Sequence, residues 1–419
     1  MKKKYFIPIA IAACTIMTSC NISNNHDDRV AKQTKQPAEV TSQEENFSNK
    51  KLIKIIQNKI DKKKAKISKS DLEKIEELDL TGTNITDLND IEKLPNLKTL
   101  DLSNTGITDL EPLSNLKQLE DLRLGLNEIN SLTPIQNMIS LKKLDLDNTY
   151  ITDINPLNKL VNLEELNLRN SVELQDLTPL KNMVKLKILN INGCERIGEY
   201  QSNVKILESL KLLTTLRMQS TGIEKQMFLA NLPNLKVLQA DLEFNNKKLL
   251  NDLGIIELDT MISNDTDLSG LTGLKNLERL YILDGTLQEI PKPIGSLTKL
   301  TELVIIDRMG ESTIANISCL KKLTQLEKLQ IAGNNIKDLD PIKNLTQLKY
   351  LDLSNNRITD LSMLGNLINL EYLDLSDNSI EDVGVLKNMR HLKELNIKGN
   401  NILDTSGLKK LENETVITN

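Results

Sequence analysis

Four cysteines, two histidines and a recurrent aspartate are the residues of this 419-residue chain with the chemistry to act on a substrate or hold a metal. Nucleophilic catalysis needs a Ser or Cys beside a base that a third group orients. His26 stands near the start and His391 near the end, so no such set can be assembled. Asp79, Asp101 and Asp145 share one phase of a repeated pattern, as do Asp352 and Asp374. Stacked one above the next, such carboxylates present the oxygens that calcium favours. The same Asp is also the ordinary filler of Leu-Asp-Leu-Ser, and this plainer reading is preferred. The expectation is a chain with no catalytic group set, no metal and no cofactor, and so not an enzyme.

Composition narrows the class further. Lys and Arg total 53 against 58 Asp and Glu, a net charge of −5. This is not the basic footprint of a nucleic-acid binder. Aromatic residues make up 2% and there is no Trp. Such a chain must build its core from one small aliphatic unit used many times.

That unit is visible at a fixed period. Leu97-x-x-Leu100-x-Leu102-x-x-Thr105-x-Ile107-x-x-Leu110 recurs 22 residues later, from Leu119. Fifteen units start at Ile75, Leu97, Leu119, Leu141, Leu163, Leu186, Leu213, Leu235, Leu253, Leu277, Leu300, Leu326, Leu348, Leu370 and Leu392. LxxLxL puts leucine on alternate residues, the period of a strand with one buried face. Thr83, Thr105, Asn127, Thr149, Asn334, Asn356, Asn378 and Asn400 follow the strand, where a side chain can bond turn backbone. Pro112, Pro134, Pro156, Pro179 and Pro341 suit the opening of a short helical turn. No unit can bury its own leucines, so neighbours must stack. The expected fold is an α/β solenoid. It is a leucine-rich-repeat horseshoe with a parallel concave sheet, short 3-10 or helical pieces on the convex side, and a small helical N-terminal cap. Cys194 and Cys319 then lie about five units apart, on the order of 20 Å or more along the stack. A disulfide tolerates only ~7 Å between Cα atoms.

The chain opens with Lys2, Lys3 and Lys4, followed by the mostly apolar run from Tyr5 to Met17. That run is short of the ~18–20 residues needed to span a bilayer, and reads as the core of a signal peptide. Met17-Thr18-Ser19-Cys20 resembles a bacterial lipobox, which implies removal of residues 1–19 and lipid attachment at Cys20. Residues 20–46 are polar and read as a tether. Residues 47–74 read as the helical cap, with Leu52, Ile55, Ile56 and Ile60 on one helix face and Ser70-Asp71-Leu72-Glu73 starting a second short helix. The solenoid is assigned to 75–413 and a tail to 414–419. The 22-residue unit, its I-T-D-L-x-P-L phrase and this cap resemble the internalins, bacterial leucine-rich-repeat surface proteins. The resemblance implies adhesion to a host component.

The remaining expectations concern recognition. Units between Leu186 and Leu300 vary in length, so Gly193–Lys211 and Asp241–Leu253 should bulge as loops or longer helices. On the strand positions facing the trough, early units carry Asp79, Asp101, Arg123, Asp145, Asn167 and Asn190, then Arg217, Gln239 and Glu257. Tyr281, Leu283, Val304 and Ile306 follow, with Tyr350 and Tyr372 beyond them. Exposed aromatic and apolar clusters mark interaction surfaces, and Tyr and Arg anchor them. The candidate partner-binding residues are therefore Tyr281, Leu283, Val304, Ile306, Tyr350, Tyr372, Arg217 and Arg123. The expected function is a lipid-anchored, cell-surface binding protein for a host or bacterial protein. The alternative is a periplasm-facing structural or assembly lipoprotein with a bacterial partner. An uncapped C-terminal edge would favour a weak homodimer.

Overall fold

The computed structural model describes residues 47–60, 67–283, 287–307, 310–406, 408, 411 and 416–418. Cys20, its lipobox-like motif, the tether and His26 lie outside the described residues.

Leucine alternation produces one continuous parallel sheet. Among the described residues it has sixteen strands in sequential order, most of them three residues long. Equivalent positions meet in register: Leu78 faces Leu100, Leu100 faces Leu122, and Leu351 faces Leu373. These leucines are at most 2% exposed. Each strand's two outer residues point to the opposite, open face. The opposing side of each coil is made of 3-10 turns. Glu111–Leu113, Thr133–Ile135, Asn155–Lys159, Thr178–Asn182 and Asp340–Ile342 each carry their proline in the first turn. The fixed proline φ suits that position, where its missing N–H is not needed.

An amide ladder ties coil to coil. Asn378 Nδ2 donates to the carbonyls of Leu353, Leu375 and Ser376, and its Oδ1 accepts the Ile358 N–H at 3.0 Å. Asn356 and Asn400 repeat this scheme one unit either side. Asn127 does the same in the early units, accepting from Thr105 and Gly106. Backbone groups that the irregular turn leaves without a strand partner are thereby satisfied. The turn itself often needs a left-handed residue. Asn104, Asn148, Asn170 and Asn355 supply it, with φ between 53° and 58°; Asn tolerates that region better than most side chains. Gly399 supplies it at φ 73°, where a Cβ would stand 2.2 Å from Asp377 Oδ1.

The first coil is closed by α1 (Lys50–Lys59) and α2 (Lys69–Leu72). Asn49 caps α1 by accepting the Lys51 and Leu52 N–H groups at 3.0 Å. Leu52 and Ile56 bury into the solenoid core, with Ile55 and Ile60 partly buried beside them. The start of α2 differs from the sequence expectation. Ser68, not Ser70, is the cap, and Asp71 accepts its N–H at 3.1 Å. Asp90 clamps the cap to the first coil. Its Oδ2 accepts from Ser48 N–H (2.5 Å), Ser48 Oγ (2.7 Å) and Asn49 N–H (3.0 Å), and Lys93 Nζ lies 2.8 Å from Oδ1. Burial pushes this carboxyl up, but Lys93 and the donors from Asn49 and Ser48 outweigh it and hold it well below the usual range. Its stabilisation is therefore complete above the ordinary carboxylate range and is lost as pH falls through its own, lower titration. Asp90→Ala strands the partly buried N–H groups of Ser48 and Asn49. The expected cost is about 2–3 kcal/mol, read as a lowered denaturation midpoint with faster amide exchange confined to α1. Unchanged exchange in α1 would contradict the clamp.

The middle units depart from the regular spacing. α3 (Ser202–Ser209) follows the 3-10 piece Ile197–Glu199 and α4 (Lys247–Asp252) takes the place of one, within the two segments expected to bulge. Two sequence assignments change here. The unit placed at Leu253 begins instead at Ile255, because Gln239 pairs with Asp259 and Leu238 with Leu258. Leu253 ends α4. Glu257 consequently belongs to the first row of trough residues, and Asp259 takes the place assigned to it. The sheet also has one strand more than the fifteen units: Val416–Thr418, within the stretch taken as a tail, pairs in parallel with Glu394–Asn396.

Both described cysteines are free. Cys194 occupies the ladder position, fully buried, with Sγ 3.1 Å from the Leu168 carbonyl. Burial pushes its thiol up to about 12 and that of Cys319 up to about 11. Alkylation needs the thiolate. Both thiols are expected to react with a thiol reagent at pH 8 far more slowly in the folded chain than after denaturation. Equal rates would contradict their burial.

Candidate binding surface on the open face of the sheet

Two rows of side chains line the open face, one from the first strand residue and one from the third. A further row follows two residues beyond, toward the turn. The early units neutralise themselves. Arg123 lies 3.0 Å from Asp121 and 3.6 Å from Asp101. Lys143 pairs with Glu165 at 2.7 Å, and Arg169 with Asp147 at 3.7 Å. Of the expected aspartate stack, Asp79 does face Asp101, but Arg123 separates Asp101 from Asp145. No group of three metal-ligating side chains occurs among the described residues. Burial pushes the Asp145 carboxyl up, against hydrogen bonds from Asp147 N–H and Asn167.

The middle units are amide-rich. Asn190, Arg217 and Gln239 are adjacent in register. Asn192 Nδ2 donates to Gln239 Oε1 at 2.6 Å, Gln239 Nε2 to Gln219 Oε1 at 3.2 Å, and Gln219 Nε2 to Asp241 at 3.1 Å. Arg217 is half-buried and takes part in no ion pair or side-chain hydrogen bond among the described residues.

The longest strands, Arg279–Leu283 and Glu302–Ile306, hold the apolar cluster. Tyr281, Leu283 and Ile306 are half-buried on the open face, and Met261 beside Leu283 is 46% exposed. Tyr281 faces Val304 and Leu283 faces Ile306. Val304 corrects the sequence reading. It lies on the open side between Tyr281 and Gln330, yet is only 3% exposed, because its short side chain sits below longer neighbours. It supports the floor of the cluster and offers a partner little surface. Burial, then the nearby Glu302 and Glu257 carboxylates, hold the proton on Tyr281 far above neutral pH.

Tyr350 and Tyr372 stand in adjacent strands, rings parallel within 2° and centroids 4.2 Å apart. Lys328 Nζ lies 5.3 Å from the Tyr350 centroid, an attractive placement over a ring face, and pairs with Glu302 at 2.6 Å. The two tyrosines belong to the first row, whereas Tyr281 belongs to the second. They therefore do not continue Tyr281's ridge; Asp352 and Asp374 occupy that row. Asp352 is 8% exposed, and burial pushes its carboxyl up despite the Ser354 hydrogen bonds.

Sequence reasoning missed Met261, because its own unit was set two residues out of phase. It also missed a ladder of opposite charges along one edge, at Lys98–Glu76, Lys142–Glu120, Lys187–Glu164 and Lys349–Glu327, all within 2.8 Å. The signal was present as alternating signs at the repeat spacing. Such exposed pairs contribute little each.

The sequence family described as "Leucine Rich repeats (2 copies)" matches residues 73–115, 95–137, 139–182, 324–366 and 368–410. The repeats are leucine-rich repeats, and the solenoid they build is internalin-like. A leucine-rich-repeat protein of Leptospira interrogans superposes with a TM-score of 0.59 at 23% identity, covering 84% of this chain and 97% of that one. The functional domain of the internalin InlJ from Listeria monocytogenes gives 0.51 at 20% identity, covering 84% and 80%. An internalin, inlF, from the same organism gives 0.48 at 26% identity, covering 89% and 95%. No curated protein matches the chain. The family matches leave out residues 183–323, the stretch that holds Arg217, Tyr281, Leu283, Val304 and Ile306.

Proposed function

We propose that this chain is a non-catalytic, lipid-anchored binding protein that engages a protein partner with the open face of its sheet. Leucine-rich-repeat solenoids commonly serve as protein-binding scaffolds, and their parallel sheet offers a long array of side chains on a rigid frame. The observation that carries the reading is the Tyr350–Tyr372 stack beside the Tyr281, Leu283 and Ile306 cluster. Aromatic side chains supply large contact area at low entropic cost. The opposite face of the sheet is closed core, whereas these groups stand on the side open to a partner.

The anchor is Cys20, which would hold the domain at the surface of a bacterial cell by its lipid. Globomycin, which blocks the lipoprotein signal peptidase, is expected to leave a larger precursor; an unaffected mature size would contradict the anchor. Protease shaving of intact cells separates surface display, which predicts loss of the domain, from a periplasm-facing role. Binding itself is tested by capture of a partner on the full chain and on a Tyr350→Ala/Tyr372→Ala variant. Equal capture by both would move the site elsewhere.

A further inference from the structure

The open face is not uniform in what it leaves unsatisfied. Arg123, Arg169 and Arg279 each have a carboxylate partner, the last at 2.7 Å from Glu257. Arg217 has none among the described residues. Its neighbours in register, Asn190 and Gln239, are neutral, and the nearby Asp241 carboxylate is already bonded to Gln219 and the Ser220 N–H. A half-buried guanidinium with five donors and no acceptor forfeits strong hydrogen bonds unless something else supplies an oxyanion. Six strands further on the signs invert. Asp352 and Asp374 face each other with no ion pair among the described residues; Ser354, Ser376 and Asn396 donate to them, which leaves their charge unopposed, and Asp374 is the more open of the two. Lys328, a cation on an adjoining strand, is taken by Glu302. Between these ends lies the apolar cluster of Tyr281, Leu283, Ile306 and Met261, flanked on the first row by the self-neutralising pairs Arg279–Glu257 and Lys328–Glu302 and on its own row by Asp259.

We infer that the occupant of this trough is a polypeptide segment with a carboxylate at the end that meets Arg217, apolar side chains at its centre, and Lys or Arg at the end that meets Asp352 and Asp374. This deepens the proposed function and rests on it. Six strand steps at ~4.8 Å separate the charged ends by roughly 29 Å. A helix of ~19 residues spans that distance, at ~1.5 Å per residue. Charge complementarity then fixes the direction of the segment and rejects the reversed one, while the apolar centre supplies contact area. The Tyr350–Tyr372 platform adjoins the acidic end; Lys328 already lies over Tyr350, so Tyr372 offers the ring that attracts a partner's cation.

The test pans a phage-displayed library of random 24-residue peptides against the full chain. Binders are expected to carry Asp or Glu in one terminal third, apolar residues in the centre and Lys or Arg in the other third. For a selected peptide, Arg217→Glu is expected to weaken binding at least ~10-fold, as loss of a charge-assisted contact does. Arg217→Gln should weaken it less, and Asp352→Asn/Asp374→Asn should weaken it through the basic end. Exchanging the peptide's acidic residues for Lys should restore binding to Arg217→Glu. A selection without binders, binders with no charge order, or full affinity for Arg217→Glu overturns the proposal. The two readings separate cleanly. Loss on Tyr350→Ala/Tyr372→Ala with no loss on Arg217→Glu leaves the binding face standing and removes its polarity; no loss on either removes both.

Discussion

Asn378→Ala is expected to destabilise the solenoid by about 3 kcal/mol, a large effect for the loss of one polar side chain. The side chain is 8% exposed and makes four hydrogen bonds, at 3.0–3.1 Å, across two coils. Alanine leaves the N–H of fully buried Ile358 without an acceptor and takes one of two donors from each of three carbonyls; Leu353, Leu375 and Ser376 keep Asn356 Nδ2, Asn400 Nδ2 and the Asn355 N–H. Each buried unsatisfied group costs about 1–3 kcal/mol, and the coil can relax only in part. Repeats contact only their neighbours, so the damage should be local. Amides around Ile358 and Ser376 are expected to lose protection from exchange, while those around Asn127 keep it. A midpoint shift below about 1 kcal/mol, with Ile358 still protected, would show that the ladder does not hold these coils together.

The second large effect concerns recognition. Tyr350→Ala/Tyr372→Ala is expected to weaken partner binding by about 100-fold or more, since hot-spot truncations cost about 2 kcal/mol each or more. Fold stability should change little, because both rings stand on the open face rather than in the core. Tyr350→Phe/Tyr372→Phe keeps the stack and removes the hydroxyls, and is expected to retain most of the affinity. Equal losses from the Phe and Ala pairs would assign the binding to the hydroxyls instead of the ring faces.

Much of this architecture was legible because one rule repeats. Leu100, Leu122 and Leu144 keep the same phase, and a strand with one buried face explains all three at once. The Asn and Thr ladder was legible for the same reason, since a turn with unsatisfied backbone needs a polar side chain at a fixed offset. The rule failed where another element imitates it. Leu253 ends α4, yet Leu253-x-x-Ile256-x-Leu258 passes for the opening of a repeat; only strand pairing shows that Ile255 begins the unit. Alternation also predicts which side a residue faces, not how deep it sits. Val304 faces the trough and is nonetheless covered, because depth depends on the size of its neighbours. Ion pairing is likewise a matter of side-chain reach. Arg123 and Arg217 share one row and one residue type, yet Arg123 is held by two aspartates and Arg217 has no carboxylate partner among the described residues.

Hydroxyl-radical footprinting of the full chain, free and bound to its captured partner, tests the binding face most directly. Oxidation of Met261, Tyr281, Tyr350 and Tyr372 is expected to fall in the complex, while Tyr150 and Tyr200, exposed by 66% and 45% away from the trough, keep their free rates. Protection of Tyr150 or Tyr200 with the four trough residues unchanged would place the partner on another surface and contradict the account.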